Sequence, residues 1–217
     1  MIAPTFDGYF PHRWTAEILP HRPMILPSCH YIYPAAAEEV ERGALEVLIR
    51  PAGAYADHVE GESREDEFLN MQPPFLATCA LGFRDPAVPT GIWSCPHPDW
   101  LCAVSGGYAY LIDTVQPERF TFLRYRPVLE IMRDTPEISI ETSNAPPSSL
   151  DKLLLFVGHH SILAWGRDGE AWESERLSWE GISNLRVEGK ILRGAGWDMM
   201  TDKDTPFALD LASGRRI

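Results

Sequence analysis

The segment LCAVSGGYAYLID, residues 101–113, decides the fold class of this chain. Two apolar runs flank the sequence Ser105-Gly106-Gly107, and paired glycines supply the backbone conformations that a tight turn between two strands needs. The segment therefore predicts a β-hairpin. The segments LLFVGHHSILAW (154–165) and NLRVEGKILRG (184–194) repeat this pattern of strand, glycine turn and strand, although the spacing between the repeats is uneven.

The rest of the chain has the same short rhythm, because 19 prolines and 16 glycines interrupt it. Proline ends strands and glycine favours turns, so the pattern indicates an all-β protein. We predict an irregular segment over residues 1–34 with one extended piece at His30–Tyr33, a short helix over Ala35–Arg42 and an acidic loop over residues 51–70. The predicted strands are 44–50, 75–83, 100–104, 108–113, 119–125, 128–133, 137–141, 153–157, 161–165, 171–175, 185–188, 190–193 and 207–211.

The segment FALDLASGR, residues 207–215, resembles the A-L-D-L-x-T-G-R strand of quinoprotein-type β-propeller repeats. Ser213 stands where that family has threonine. The resemblance implies a propeller-like array of short antiparallel hairpins, and about four strands per blade give four to five incomplete blades. A β-sandwich or a β-roll built from generic hairpins is the alternative.

A second C-terminal pattern combines WESERLSWEGI (172–182), GAGWD (194–198) and PFALDL (206–211). It resembles the C-terminal half of an uncharacterised group of bacterial proteins of about this length. The resemblance brings no established activity with it.

The length and net charge of the chain limit the functions it can have. The 217 residues carry a formal net charge of −12, from 19 basic and 31 acidic side chains. Such a chain can bury a core of its own, and we expect a single domain over 1–217 with a possible subdomain boundary near 144–150. Nucleic acid and anionic membranes are disfavoured as partners, because both require clustered basic residues. The N-terminal residues lack a signal-peptide pattern and the four cysteines are sparse, so we expect a cytoplasmic protein with reduced thiols.

Tryptophan and acidic residues alternate near the C-terminus, in the manner of sugar-binding clefts that combine flat indoles with carboxylates. If residues 172–176 form a strand, Trp172 faces one side while Glu173 and Glu175 face the other. The same pattern is typical of a half-buried strand with a solvated face. The candidate ligand-binding residues are Trp165, Trp172, Glu173, Glu175, Trp179, Glu180, Trp197 and Asp198.

A second candidate surface is the acidic loop, in which Glu62, Glu65, Asp66 and Glu67 could bind a basic protein partner. The third candidate is a zinc site on Cys95, His97 and Cys102, since thiolate and imidazole are the usual zinc ligands. No tight C-x2-C pair supports it, and buried cysteines often act as small apolar residues.

These patterns lead to one main hypothesis and two alternatives. We expect a non-catalytic binding or protein-interaction module without a cofactor. The first alternative is a small-molecule or carbohydrate-binding enzyme that uses the tryptophan and acidic residues, and the second is a zinc-binding protein. Ser105 superficially resembles a nucleophile elbow, but the motif's leading glycine is Ala103, so a turn is the simpler interpretation.

Overall fold

The computed structural model describes residues 4–35, 42–51, 73–134 and 152–217. Within these ranges it contains sixteen β-strands and no helix. The strands are β1 (Thr5–Asp7), β2 (Trp14–Leu19), β3 (His30–Tyr33), β4 (Ala44–Pro51), β5 (Phe75–Ala80), β6 (Gly91–Ser94), β7 (Trp100–Ser105), β8 (Tyr108–Asp113), β9 (Phe120–Phe122), β10 (Glu130–Arg133), β11 (Leu154–Val157), β12 (Ile162–Gly166), β13 (Gly169–Glu173), β14 (Ile182–Glu188), β15 (Ile191–Asp198) and β16 (Lys203–Asp210).

The chain divides into two compact units, Met1–Arg124 and Tyr125–Ile217. The described part of the first unit holds two sheets, with strand orders β1-β6-β7-β8-β9 and β2-β4-β5-β3. Pairing is antiparallel except that β1 runs parallel to β6 and β3 runs parallel to β5. Both sheets contribute to one apolar core, in which Val47, Ile49, Phe75, Leu101 and Tyr110 are buried.

The hairpin predicted from residues 101–113 is present as β7 and β8. Ser105 pairs with Tyr108 across the turn, and Gly106 and Gly107 have φ values of 57° and 75°. Positive φ at both central residues is the type I′ geometry, whose twist matches that of the flanking strands. Ser105 is the last residue of β7, directly before this turn, and it is fully buried.

The described part of the second unit also holds two sheets, ordered β10-β11-β12-β13 and β14-β15-β16. Every pairing in these two sheets is antiparallel and joins strands that follow one another along the chain. Their common core includes Leu155, Trp172, Leu192, Phe207 and Leu209. Buried residues that alternate with half-buried ones, as in β15 and the end of β16, supply its buried side.

The predicted fold class is confirmed. The described chain is all-β and propeller-like, because its strands form four small, mainly antiparallel sheets of three to five strands, and a propeller blade is such a small sheet. Three strands, β1, β2 and β6, were not predicted, and two of them fall in the segment predicted to be irregular. The predicted helix over Ala35–Arg42 lies almost wholly outside the described residues, as do the predicted strand at 137–141 and the possible boundary near 144–150. None of the described elements is a helix long and apolar enough to span a bilayer.

Candidate functional site

The most exposed part of the predicted tryptophan and acid cluster is formed where residues 177–181 run beside β15. The Trp179 N–H donates to the Trp197 carbonyl oxygen at 2.9 Å. The Ser178 hydroxyl donates to the Gly181 carbonyl oxygen at 2.5 Å, which closes a tight turn around Trp179. The backbones that carry the two indoles are therefore joined directly.

Gly196 lets this segment approach β15 closely. A Cβ atom at position 196 would overlap the Leu177 carbonyl oxygen. On the other side of the segment, the His160 carbonyl oxygen accepts the Leu177 N–H at 2.7 Å. Residues 177–181 are thus held between β15 and the turn that joins β11 to β12.

The hairpin that joins β15 to β16 presents two methionines beside Trp197. Asp198 shapes the turn, because its Oδ1 accepts the N–H groups of Met200 at 2.7 Å and Thr201 at 3.2 Å. This is the side-chain-to-backbone bonding through which aspartate favours turns. The Met199 side chain is 52% exposed and that of Met200 is 82% exposed.

The Trp179–Trp197 backbone hydrogen bond and the β15–β16 hairpin bring Trp179, Trp197, Met199 and Met200 into one region, which we call the indole face. Trp179 is 43% exposed, and the guanidinium carbon of Arg176 lies 4.5 Å from the centre of its ring. This distance is within the range of a cation–π contact. The Trp197 Nε1 atom donates to Asp202 Oδ1 at 3.2 Å, so the rim of the face holds its indole in place.

The rim of the indole face is predominantly acidic. Four carboxylates and Lys203 lie within two positions of the face's aromatic residues or near the turn of its hairpin, and Arg176 lies three positions before Trp179. The acidic residues are Glu180, Asp198, Asp202 and Asp204, and the basic residues nearest in the same segments are Arg176 and Lys203. An exposed apolar surface with this border suits a partner that presents apolar and basic side chains together.

The structure separates the other two predicted tryptophans from this surface. Trp165 and Trp172 are both buried, and the Trp172 indole N–H donates to the Leu211 carbonyl oxygen at 2.8 Å. A hydrogen-bonded indole in the core stabilises the packing of the second unit. Trp165 and Trp172 therefore contribute no exposed platform for a ligand.

The remaining predicted carboxylates each have a partner of their own. Glu173 accepts a hydrogen bond from the Ser161 hydroxyl at 2.9 Å, and Glu175 forms an ion pair of 3.0 Å with Arg216. Both glutamates are exposed while Trp172 is buried, as the alternation in this segment predicts. The contacts of Glu173 and Glu175 hold them at the surface of the fold and give no sign of an acid–base pair.

The three residues of the zinc alternative do not form a ligand group. Among the described residues, no cluster of three histidine, cysteine, aspartate or glutamate side chains could hold a metal ion. Cys95 and Cys102 are fully buried, and this burial raises the pKa of both thiols. His97 instead accepts the backbone N–H of Asp99 at its Nδ1 atom, at 3.2 Å. The structure thus places the two cysteines as apolar core residues.

The acidic loop residues Glu62, Glu65, Asp66 and Glu67 lie outside the described residues. Their role as a partner-binding surface stays a prediction.

One polar group in the first unit was not predicted. Thr78, fully buried on β5, donates to the buried Glu46 carboxylate at 2.5 Å, and its hydroxyl oxygen lies 2.9 Å from His30 Nε2. Burial, followed by the charge of Arg22, lowers the pKa of His30. The signal in the sequence was a single polar residue within each of two apolar runs, Leu45-Glu46-Val47 and Ala77-Thr78-Cys79.

Comparisons with known proteins add one structural similarity. A scan against protein-family models and a search of curated proteins find no match for the sequence. Among solved structures, the N-terminal domain of Nup159 is similar at 12% identity with a TM-score of 0.33. The match covers 99% of this chain and 53% of that chain, so this chain spans about half the length of the Nup159 structure.

Proposed function

We propose that this protein is a non-catalytic protein-interaction module whose indole face binds a partner segment. The observation that carries the proposal is that the exposed Trp179, the half-buried Trp197 and two exposed methionines belong to one hairpin and the segment bonded to it. Tryptophan is enriched at binding hot spots, and methionine adapts to irregular apolar surfaces. Side chains of this kind are costly to leave in water, which favours their use in binding.

The acidic rim defines the chemistry of the partner. Glu180 and Asp204 are exposed carboxylates, whereas Asp198 and Asp202 are already engaged in shaping the hairpin and holding Trp197. A partner segment that carries an apolar side chain next to lysine or arginine would bury the apolar group and neutralise this rim. The contact between Arg176 and Trp179 within the chain shows that this indole accepts a cation over its ring.

The proposal can be tested with a random peptide library selected against the purified 217-residue chain. We expect enrichment of peptides that combine apolar and basic residues. Their affinity should fall at least about tenfold, or about 1.4 kcal/mol, in Trp179→Ala and in Met200→Asp, because each substitution removes exposed apolar surface from the face.

A matched control is Val115→Asp, which places a carboxylate on an exposed apolar residue of the first unit. This control should retain wild-type peptide binding. Enrichment of peptides without basic residues would contradict the partner chemistry proposed here, and equal binding by the Trp179→Ala protein would show that the indole face is not the binding surface.

A further inference from the structure

The first unit carries a second exposed apolar feature, on the loop between β2 and β3. Met24 is fully exposed, Ile25 is 89% exposed and Leu26 is 43% exposed. We call this segment, Pro23 to Pro27, the proline-bounded loop. Three consecutive apolar side chains in water are unusual on a protein that remains alone, because each would gain free energy on burial.

The backbone of the proline-bounded loop is conformationally restricted in the unbound protein. Prolines at positions 20, 23 and 27 limit its backbone dihedrals, which lowers the entropy lost on binding. At its base, Arg22 Nη2 lies 3.3 Å from His30 Nε2, and His30 contacts the buried hydroxyl of Thr78. The loop therefore starts and ends on residues anchored to the β2–β5 sheet.

The charge around the loop differs from that of the chain. Residues 18–37 contain no aspartate or glutamate, although the whole chain has 31 acidic residues and a net charge of −12. The same segment contains Arg22, His21 and His30. An apolar tip flanked by the cationic Arg22 and by no acidic residue complements an apolar surface with an acidic rim.

The indole face is such a surface, and it is present on every copy of the protein. We propose that the protein self-associates through insertion of the proline-bounded loop of one copy onto the indole face of another copy. Met24 and Ile25 would cover the indoles and methionines, and Arg22 would lie against the carboxylates of the rim. This inference rests on the proposed function, because it names a second copy as one partner of the indole face.

The experiment is sedimentation velocity on the 217-residue chain over a wide concentration range. We expect reversible self-association that weakens as salt increases, since surface charges contribute to it. Ile25→Asp on the loop and Met200→Lys on the face should each raise the dissociation constant at least about tenfold. Both side chains are exposed in the monomer, so neither change should disturb folding.

Mixing the two variants gives the decisive measurement. The Ile25→Asp protein keeps an intact face and the Met200→Lys protein keeps an intact loop, so an equimolar mixture should recover association that neither variant shows alone. Val115→Asp and Val115→Lys serve as charge-matched controls and should associate like the wild type.

Three results would overturn the inference: a monomer at every concentration, association unchanged by both variants, or a mixture that stays monomeric. A monomer that still selects basic and apolar peptides through Trp179 would leave the proposed function in place. Failure of both measurements would show that the indole face is not a binding surface.

Discussion

At the scale of single residues, the contacts of Thr78 determine where the protons lie in its network. A threonine hydroxyl has one proton, and at 2.5 Å this proton is donated to Glu46. The hydroxyl oxygen then accepts from His30, so His30 carries a hydrogen on Nε2. The guanidinium of Arg22, whose Nη2 is 3.3 Å from the same nitrogen, places a positive charge beside the ring and opposes its protonation. Burial and the charge of Arg22 both lower the pKa of His30, which favours its neutral form.

This network predicts a pH dependence of stability. Because folding lowers the pKa of His30 below its ordinary value of 6.5, the unfolded chain binds a proton more readily than the folded protein. The contribution of His30 to stability is complete above about pH 6.5. It declines as the pH falls below that value and becomes constant below the lower pKa of the folded state. Urea unfolding across this range measures the decline.

Two variants separate burial from the charge of Arg22 as causes of the lowered pKa of His30. His30→Gln should reduce the slope of stability against pH. Arg22→Gln should reduce it less, because burial is the larger cause and the arginine charge the smaller one. An unchanged slope in the His30→Gln protein would contradict this account of the network.

At the scale of elements, the indole face depends on how closely residues 177–181 pack against β15. The Trp179–Trp197 backbone hydrogen bond requires the approach that the missing side chain of Gly196 allows. In the same strand pair, Gly189 occupies an open turn with a φ of 62° and no atom near a potential Cβ. Substitution of Gly196 therefore tests close packing, and substitution of Gly189 tests backbone conformation.

We expect Gly196→Ala to lower the free energy of unfolding by about 3 kcal/mol, because the new methyl group collides with backbone. Gly189→Ala should cost about 1 kcal/mol, from its left-handed conformation alone. Chemical denaturation gives both values. Gly196→Ala should also shift tryptophan fluorescence, since it displaces Trp179. Equal losses in the two variants would show that the close approach at Gly196 is unimportant.

The elements also show what the sequence could predict. Hairpins with apolar strands and glycine turns, such as β7–β8 and β11–β12, were predicted because their signal is local. β1 was not predicted, because it is a three-residue strand that pairs in parallel with β6, far along the chain. The tryptophan and acid cluster was predicted as a group, yet the pattern alone could not distinguish the buried Trp172 from the exposed Trp179. Burial depends on which strands pair, and pairing between distant segments leaves little trace in a single sequence.

At the scale of the whole molecule, the described chain has two cores, each with its own pair of sheets. The core of the first unit is built from residues such as Val47 and Tyr110, and that of the second from residues such as Trp172 and Leu209. A segment with its own apolar core is long enough to fold alone when it exceeds about 60 residues. The second unit, Tyr125–Ile217, exceeds this length.

We therefore predict that residues 125–217, expressed alone, fold cooperatively. The fragment should also keep the peptide binding of the indole face, because Trp179, Trp197 and the hairpin between β15 and β16 all belong to this unit. Near-ultraviolet circular dichroism and urea unfolding would show a packed core around Trp172, and peptide affinity within about twofold of the full chain would show an intact face. Trp172→Ala in the same fragment should abolish the cooperative transition, since a buried tryptophan truncated to alanine costs about 3–5 kcal/mol. The single domain expected from chain length predicts the opposite result, a fragment without cooperative unfolding. The measurement thus decides whether the division at Arg124 separates two folding units or two halves of one.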